Sequence, residues 1–508
     1  MKPTERTAES SAAANTAAAS TAPAAPTDPA PTAPSAATET TSTAPDAPTD
    51  AQTPPPLPPP PGPRLPAVVQ TAAYLAAPTR VLDAARRRYG PVFRFNFVGF
   101  PPEVFLTTPE SAAAAYALDA GGGRAGEVRR MALEPLVGRN SLLSLDGDPW
   151  ARHRKLLTPP LRAKAIADYR DEIARIAAED VERWPHGTPF ALRDRMQDIT
   201  LEVILRLVFG IRERERLDAL RALLPALAET GGPAVMILAS SKAMGWIERV
   251  GPLHRAVSRP FTRFLATRAA VDELLYDEIA RRRADADPDA TDVLSRLLRA
   301  RDEHGEPMSD QELRDELITL LEAGHETTAT ALAWGVERLV RTPEVLAKLR
   351  AELDGTTGGG EERYLEAVVK ETLRARPVVY DVPRLVDTPL RVGGVEIPAG
   401  WYAAPMIALI HRDPAVYPDP DAFRPERFLD GDTTAAHRSW MPFGGGRRYC
   451  VGAQLALLEM RVILREVLQR VDLTAVRAAD EKPRMRHVTF VPSRAARVIA
   501  RPRATRSA

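Results

Sequence analysis

The chain of 508 residues carries one thiol. Cys450 stands in the run Phe443-Gly444-Gly445-Gly446-Arg447-Arg448-Tyr449-Cys450-Val451-Gly452, just ahead of an amphipathic stretch at 455–468. With no second cysteine it cannot close an internal disulfide. If the stretch that follows is a helix, its N-terminal amides and dipole favour thiolate over thiol. A thiolate in a glycine-rich loop is placed to ligate a metal. The competing reading is a buried, inert cysteine, the usual fate of a free thiol.

A second group is Ala323-Gly324-His325-Glu326-Thr327-Thr328. Glycine costs roughly 1 kcal/mol in a helix interior, and paired threonines are poor helix formers. Local rules broken together often mark a functional site. The alternative is a glycine notch packed on another helix, with Glu326 on a wet face. A third group is Glu371 and Arg374, three residues apart on one helical face, followed later by Pro425-Glu426-Arg427-Phe428. An isolated acid–guanidinium pair of this spacing is usually a surface ion pair worth less than about 1 kcal/mol.

Most elements that must position these residues read as helix. Segments 151–157, 166–184, 196–208, 263–283 and 291–301 carry apolar residues at three- and four-residue intervals. The longest helix is predicted to start at Ser309, where Ser309-Asp310-Gln311-Glu312 has the form of a capping box. It is expected to stop near Arg341, ahead of Thr342-Pro343-Glu344. Strands are few: a hairpin over 92–97 and 103–106, and a sheet region over 390–397 and 401–407.

Four motifs in this order resemble the cytochrome P-450 superfamily, in its soluble bacterial form. They are the cysteine loop, the Ala-Gly-His-Glu-Thr-Thr hexad, Glu371-Thr372-Leu373-Arg374, and Pro425-Glu426-Arg427-Phe428. The resemblance covers nearly all of residues 63–498. It implies a mainly α fold with minor β structure. Haem b would lie between the long central helix and the cysteine loop with its following helix. Cys450 would be the iron ligand, with Phe443, Gly444 and Gly452 shaping the loop. Ala323 would face the haem at a kink in the helix, Thr327 would hydrogen-bond dioxygen, and Glu326 would connect to solvent. Trp150, Arg154, Arg384 and Arg448 would hold the propionates. Glu371, Arg374 and Arg427 would form a buried network behind the haem.

By family position, Leu320, Val379, Tyr380, Val382 and Phe490 are expected at the substrate pocket, covered by a glycine-interrupted loop over 118–142. Each is also a plausible core residue. The implied activity is insertion of one oxygen atom from O2 into a hydrophobic molecule such as a fatty acid, terpenoid or polyketide. The electrons come from NAD(P)H through a ferredoxin or flavodoxin with its reductase. That partner is expected to dock near Arg447, Arg461 and Arg465. Two other readings stay open: a P-450-fold isomerase or dehydratase needing no external electrons, and a non-catalytic haem-binding partner.

Bulk properties narrow the class further. Lys plus Arg number 68 against 67 for Asp plus Glu, so no global attraction to nucleic acid follows. Residues 1–62 are dominated by Ala, Thr, Pro and Ser and are expected to be a disordered tail ending in a polyproline run. Residues 63–508 are expected to form one domain. No stretch approaches the ~20 apolar residues of a membrane span, and the first residues lack the apolar core of a secretory signal. The glycines at 121–123 and 358–360 form no dinucleotide fingerprint. The expectation is a cytoplasmic monomer.

Overall fold

The computed structural model describes residues 57–230, 251–355, 362–429 and 434–503. The tail before residue 57 and the glycines at 358–360 lie outside them. Pro56–Ala508 forms one compact unit.

Its axis is the helix Asp310–Leu339. The capping box is present: Ser309 Oγ accepts from Glu312 N, and the Glu312 carboxylate accepts from Ser309 N at 2.7 Å. Residues 313–319 and 328–339 are all buried. A helix enclosed this fully draws its stability from packing, with each buried leucine contributing about 2 kcal/mol. Around it pack the helices Leu192–Val203, Arg363–Ala375 and Ala453–Arg470, and Arg170–Val181 packs on the first and last of these. Their apolar faces make one large core.

A five-stranded sheet forms a side layer. Its order is Val92–Phe95, Glu103–Leu106, Tyr402–Pro405, Arg384–Val386, Gly123–Arg124. The predicted hairpin pairs Val92 with Leu106 and Phe95 with Glu103. Strand Glu103–Leu106 runs parallel to Tyr402–Pro405, which brings Arg384 and its neighbours beside the N-terminal part of the chain. Strands Leu390–Val392 and Val395–Ile397 form a separate hairpin.

Three expectations need correction. Residues 57–62 are not free tail. The Pro61 carbonyl accepts from Arg94 N at 2.7 Å and the Pro58 carbonyl from Glu396 N at 3.1 Å. Proline lacks a donor but keeps its acceptor, so composition alone undervalues how such a run can dock. Residues 118–142 are not mainly loop: they hold the helix Ala125–Val137. Its first amides are capped by Asp146, whose carboxylate receives Gly126 N and Glu127 N at 2.8 Å each. That cap lies twenty residues away, beyond the reach of a local reading. The single helix expected over 166–184 is broken at Ala167–Tyr169 before Arg170–Val181.

Candidate active site

The cysteine loop is held by its own backbone. Cys450 N donates to the Phe443 carbonyl at 3.0 Å, and Gly444 N to the Met441 carbonyl at 3.0 Å. Gly444 and Gly446 adopt positive φ (72° and 65°), where a side chain is strained. Gly445 is required for another reason: a Cβ there would lie 2.5 Å from the Tyr116 ring. Phe443 packs edge-on against Trp440 and Tyr449.

Cys450 is accessible, and the helix Ala453–Arg470 starts just behind it. Burial pushes its thiol up, while the amides of Gly452 and Ala453 and the nearby Arg154 guanidinium act in the opposite direction. The expected helix-terminus effect is present but is outweighed by desolvation.

The central helix has a matching window. Between its two buried stretches, Leu320 and residues 322–327 alone are accessible, and Ala323 is exposed. The helix continues through the hexad unbroken, so the implied kink is not a gap in the helix. Thr327 Oγ1 donates back to the Ala323 carbonyl at 2.5 Å. Gly324 faces Ile204, whose Cδ1 would be 3.2 Å from an added Cβ. His325 Nδ1 meets Thr200 Oγ1 at 3.0 Å.

Glu326 does not stand free. It accepts from Arg193 at 2.9 Å and lies near Thr489 (3.4 Å), His487 (3.8 Å) and Arg486 (3.9 Å). Burial opposes its charge, but His487, Arg193 and Arg486 outweigh it and hold the carboxyl below its usual range. Arg486 and His487 are themselves partly accessible, so the acid is linked outward through cations.

Arginines gather beside the cysteine loop. Arg448 pairs with Asp146 at 2.5 Å, donates to the Leu145 carbonyl at 2.8 Å, and lies 4.3 Å over the buried Trp150 ring. Arg384 pairs with Asp119 at 2.7 Å and lies over Tyr116. Arg154 sits near Cys450. A fourth cation, Arg129 on the helix Ala125–Val137, was not legible in the sequence: its segment reads as loop, and no motif marks it. Burial, with the charges of Arg384 and Arg448, pulls it down to about 9. Of these four arginines, Arg129, Arg384 and Arg448 face two carboxylates, Asp119 and Asp146, and Arg154 stands beside the thiol and Arg448. Arg447 is exposed and also covers the Trp150 ring, at 5.4 Å.

Behind the loop, Glu371 and Arg374 are fully buried and joined by two hydrogen bonds of 2.7 and 2.9 Å. Arg427 approaches Glu371 at 3.5 Å and donates to the Asp419 carbonyl. Arg374 also donates to the His411 carbonyl at 2.9 Å. His411 Nε2 in turn accepts from Met441 N at 3.0 Å, tying the network to the cysteine loop. Burial and the Arg374 charge lower His411 to about 3, so it stays neutral and able to accept. The sequence reading made this residue part of a turn and missed the link.

Two pocket assignments are corrected. Tyr380 and Phe490 stack face to face and are buried in the second core cluster, with the Phe490 carbonyl accepting from Trp334 Nε1 at 2.8 Å. They are core residues. Leu320, Val379 and Val382 are half-buried. Arg461 and Arg465, expected on a docking surface, are paired with Glu366 (3.8 Å) and Glu362 (2.6 Å), which leaves Arg447 the more available cation.

These residues fit a haem. Among the described residues no group of three or more His, Cys, Asp or Glu side chains could hold a bare metal ion, so the lone sulfur suits a metal whose other ligands come with it. The surplus of two arginines matches two propionates. Ala323 and the loop glycines offer flat, side-chain-poor walls.

Comparison with known proteins agrees. Residues 56–498 match the family model for cytochrome P-450, and the chain belongs to that family, whose members are haem-thiolate monooxygenases. It is 44% identical over 451 residues to a protein of Mycobacterium tuberculosis provisionally named cytochrome P-450 135B1, covering 88% of this chain and 92% of that one. To cytochrome P-450 135A1 of the same organism, also provisionally named, it is 39% identical over 443 residues, 86% and 94% of the two chains. Among solved structures, the haem domain of cytochrome P-450DA superposes with a TM-score of 0.73 at 26% identity, covering 88% of this chain and 98% of that one. The retinoic acid-bound cyanobacterial CYP120A1 superposes with a TM-score of 0.72 at 23% identity, over 88% and 100%. The fold is the mainly α P-450 fold. Among the described residues no helix is long and apolar enough to cross a membrane.

Proposed function

We propose that this chain is a haem-thiolate monooxygenase that inserts one oxygen atom from O2 into a largely apolar small molecule. The observation that carries the proposal is the single thiol: accessible, desolvated, faced by two backbone amides and set beside the arginine cluster. Cys450 would ligate the iron. Trp150, Arg129, Arg154, Arg384 and Arg448 would hold the propionates, and Ala323, Phe443, Gly444 and Gly452 would pack on the ring. When bound, the haem supplies the oxidising chemistry that side chains lack.

The chain's own tasks are binding, shape and proton supply. Thr327 holds a hydroxyl at the accessible window of the central helix. Glu326, one residue away, carries charge and is coupled outward through Arg193, Arg486 and His487. Together they form a route for protons from the surface to Thr327 Oγ1. The rigid Glu371–Arg374–Arg427 network would keep the loop in register with the central helix.

The electrons come from NAD(P)H through a separate ferredoxin or flavodoxin and its reductase, meeting the chain near Arg447. The protein acts as a cytoplasmic monomer. Reductant consumption with a substrate panel tests the assignment. Product formation stoichiometric with NAD(P)H and O2 supports it, whereas substrate conversion without reductant points to the isomerase or dehydratase class.

A further inference from the structure

The helix Ala67–Ala76 is turned inside out. Its inner side carries the polar residues: Gln70 is buried beside Tyr74, and Thr71 is half-buried. The Gln70 side chain accepts from Asn96 N at 3.0 Å and donates to the Leu65 carbonyl at 2.7 Å, while Thr71 Oγ1 accepts from Val98 N at 3.1 Å. These bonds pin the helix to the turn of the hairpin over 92–106. With successive residues about 100° apart, the outer side presents Val68, Val69, Ala72, Ala73, Leu75 and Ala76, all exposed. Val68 is 63% accessible and Leu75 57%, with Leu65 (56%) just before the helix and Val98 (54%) on the turn it holds. An ordinary surface helix does the reverse, with its apolar side inward and its polar side in water. This one has no charged residue at all.

Single exposed hydrophobic residues need no explanation, but a continuous apolar face marks a site of contact. The neighbouring charges say with what. Between Pro63 and Gly90 stand Arg64, Arg80, Arg86, Arg87 and Arg88 against one acid, Asp83. Asp83 is taken by Arg412 at 3.1 Å, and Arg86 pairs with Asp413 at 2.7 Å. Arg64, Arg80, Arg87 and Arg88 are exposed and have no carboxylate partner among the described residues. In a chain whose total charge is almost balanced, this surplus is local.

A two-fold contact with a second copy would set these arginines against themselves. Residues 1–56 hold no Leu, Ile, Val or aromatic side chain that could cover the face. A bilayer with anionic head groups supplies both missing partners, acyl chains for the valines and leucines and phosphates for the guanidinium groups. We infer that the outer face of Ala67–Ala76 docks on an anionic lipid membrane. Its ten residues reach about 15 Å, half of a hydrocarbon core of ~30 Å, so the helix lies in the interface and does not cross it. The inference goes beyond the monooxygenase reading and does not depend on it.

The test mixes haem-loaded full-length protein with vesicles of phosphatidylcholine alone, or of phosphatidylcholine and phosphatidylglycerol in equal parts, and measures co-sedimentation. Binding to the mixed vesicles is expected, weaker by about tenfold on phosphatidylcholine alone and weakened likewise by high salt. The double variant Val68→Ser, Leu75→Ser should lose about tenfold on the mixed vesicles. Arg80→Gln with Arg87→Gln should lose a similar factor there and almost nothing on phosphatidylcholine alone. Val68→Leu, which keeps the face apolar, should bind as the wild type does. All these side chains are exposed, so each variant should keep its haem content and circular dichroism, and Val68→Leu controls for any that does not. Wild-type protein that ignores the mixed vesicles, or binding that survives the Val68→Ser, Leu75→Ser change, overturns the inference. So does a dimer in sedimentation velocity that this double variant dissociates, which would give the face to a second copy of the chain.

Discussion

Arg448 and Asp146 meet at 2.5 Å, and the same carboxylate receives the amides of Gly126 and Glu127. One acid thus fastens the cysteine loop to the start of the helix that carries Arg129. Asp146→Asn keeps the shape but removes the charge. Charge-assisted bonds of this kind are worth about 1.5–3 kcal/mol. The expected result is a loss of about 2 kcal/mol in chemical denaturation and a weakened hold on haem, measured by transfer to apomyoglobin. Unchanged stability and unchanged haem transfer would contradict the coupling.

Glu371→Ala leaves Arg374 buried and unpaired and deprives Arg427 and Arg424 N of their acceptor. Breaking a buried pair in this way costs about 3–5 kcal/mol. Because Arg374 reaches the loop through the His411 carbonyl, and His411 through Met441 N, the variant is expected to purify without haem. Full haem content in soluble Glu371→Ala protein would remove the structural role.

His153 bridges the helix carrying Trp150 and Arg154 to the central helix, with Nδ1 2.7 Å from Glu316 and Nε2 3.1 Å from Glu312. Burial opposes its charge, but the two acids outweigh burial and raise its proton affinity. Burial pushes Glu316 up to about 7. Both groups bind protons more tightly folded than unfolded, so the stability they confer is complete at low pH and is lost as pH rises through about 7. The titration belongs to the pair. Thermal unfolding should show stability falling from pH ~6 to ~8, with a shallower slope in the His153→Gln, Glu316→Gln double variant. An identical slope in the variant would show that the pair does not titrate there.

Thr327→Ala removes the hydroxyl at the accessible window while leaving Glu326 and its cations in place. Reductant consumption should continue, with product per NAD(P)H falling about tenfold and hydrogen peroxide appearing in its stead, as the loss of a proton-transfer group implies. Unchanged coupling, by product and peroxide assay, would take Thr327 out of the proton route.

What was legible in the sequence is what short-range rules govern. The capping box at Ser309, the hairpin over 92–106 and the Glu371–Arg374 spacing all follow from neighbours a few residues apart. What was not legible depends on distant partners. Arg129 matters because Arg384 and Arg448 arrive beside it from elsewhere in the chain, and its helix forms where a loop was expected because Asp146 caps it. Tyr380 and Phe490 were placed at the pocket by family position, and sequence position alone does not show that they stack on each other within a core cluster. Pro58 and Pro61 looked disordered by composition, yet their carbonyls find donors on the body.

The account's central claim is that sulfur of Cys450 ligates haem iron, and the carbon-monoxide difference spectrum of the reduced, haem-loaded protein tests it most directly. The predicted result is the long-wavelength Soret band of a thiolate-ligated haem, lost in Cys450→His even where that variant retains haem. A short-wavelength band like that of a nitrogen-ligated haem in intact wild-type protein, or a spectrum unaltered by Cys450→His, would contradict it.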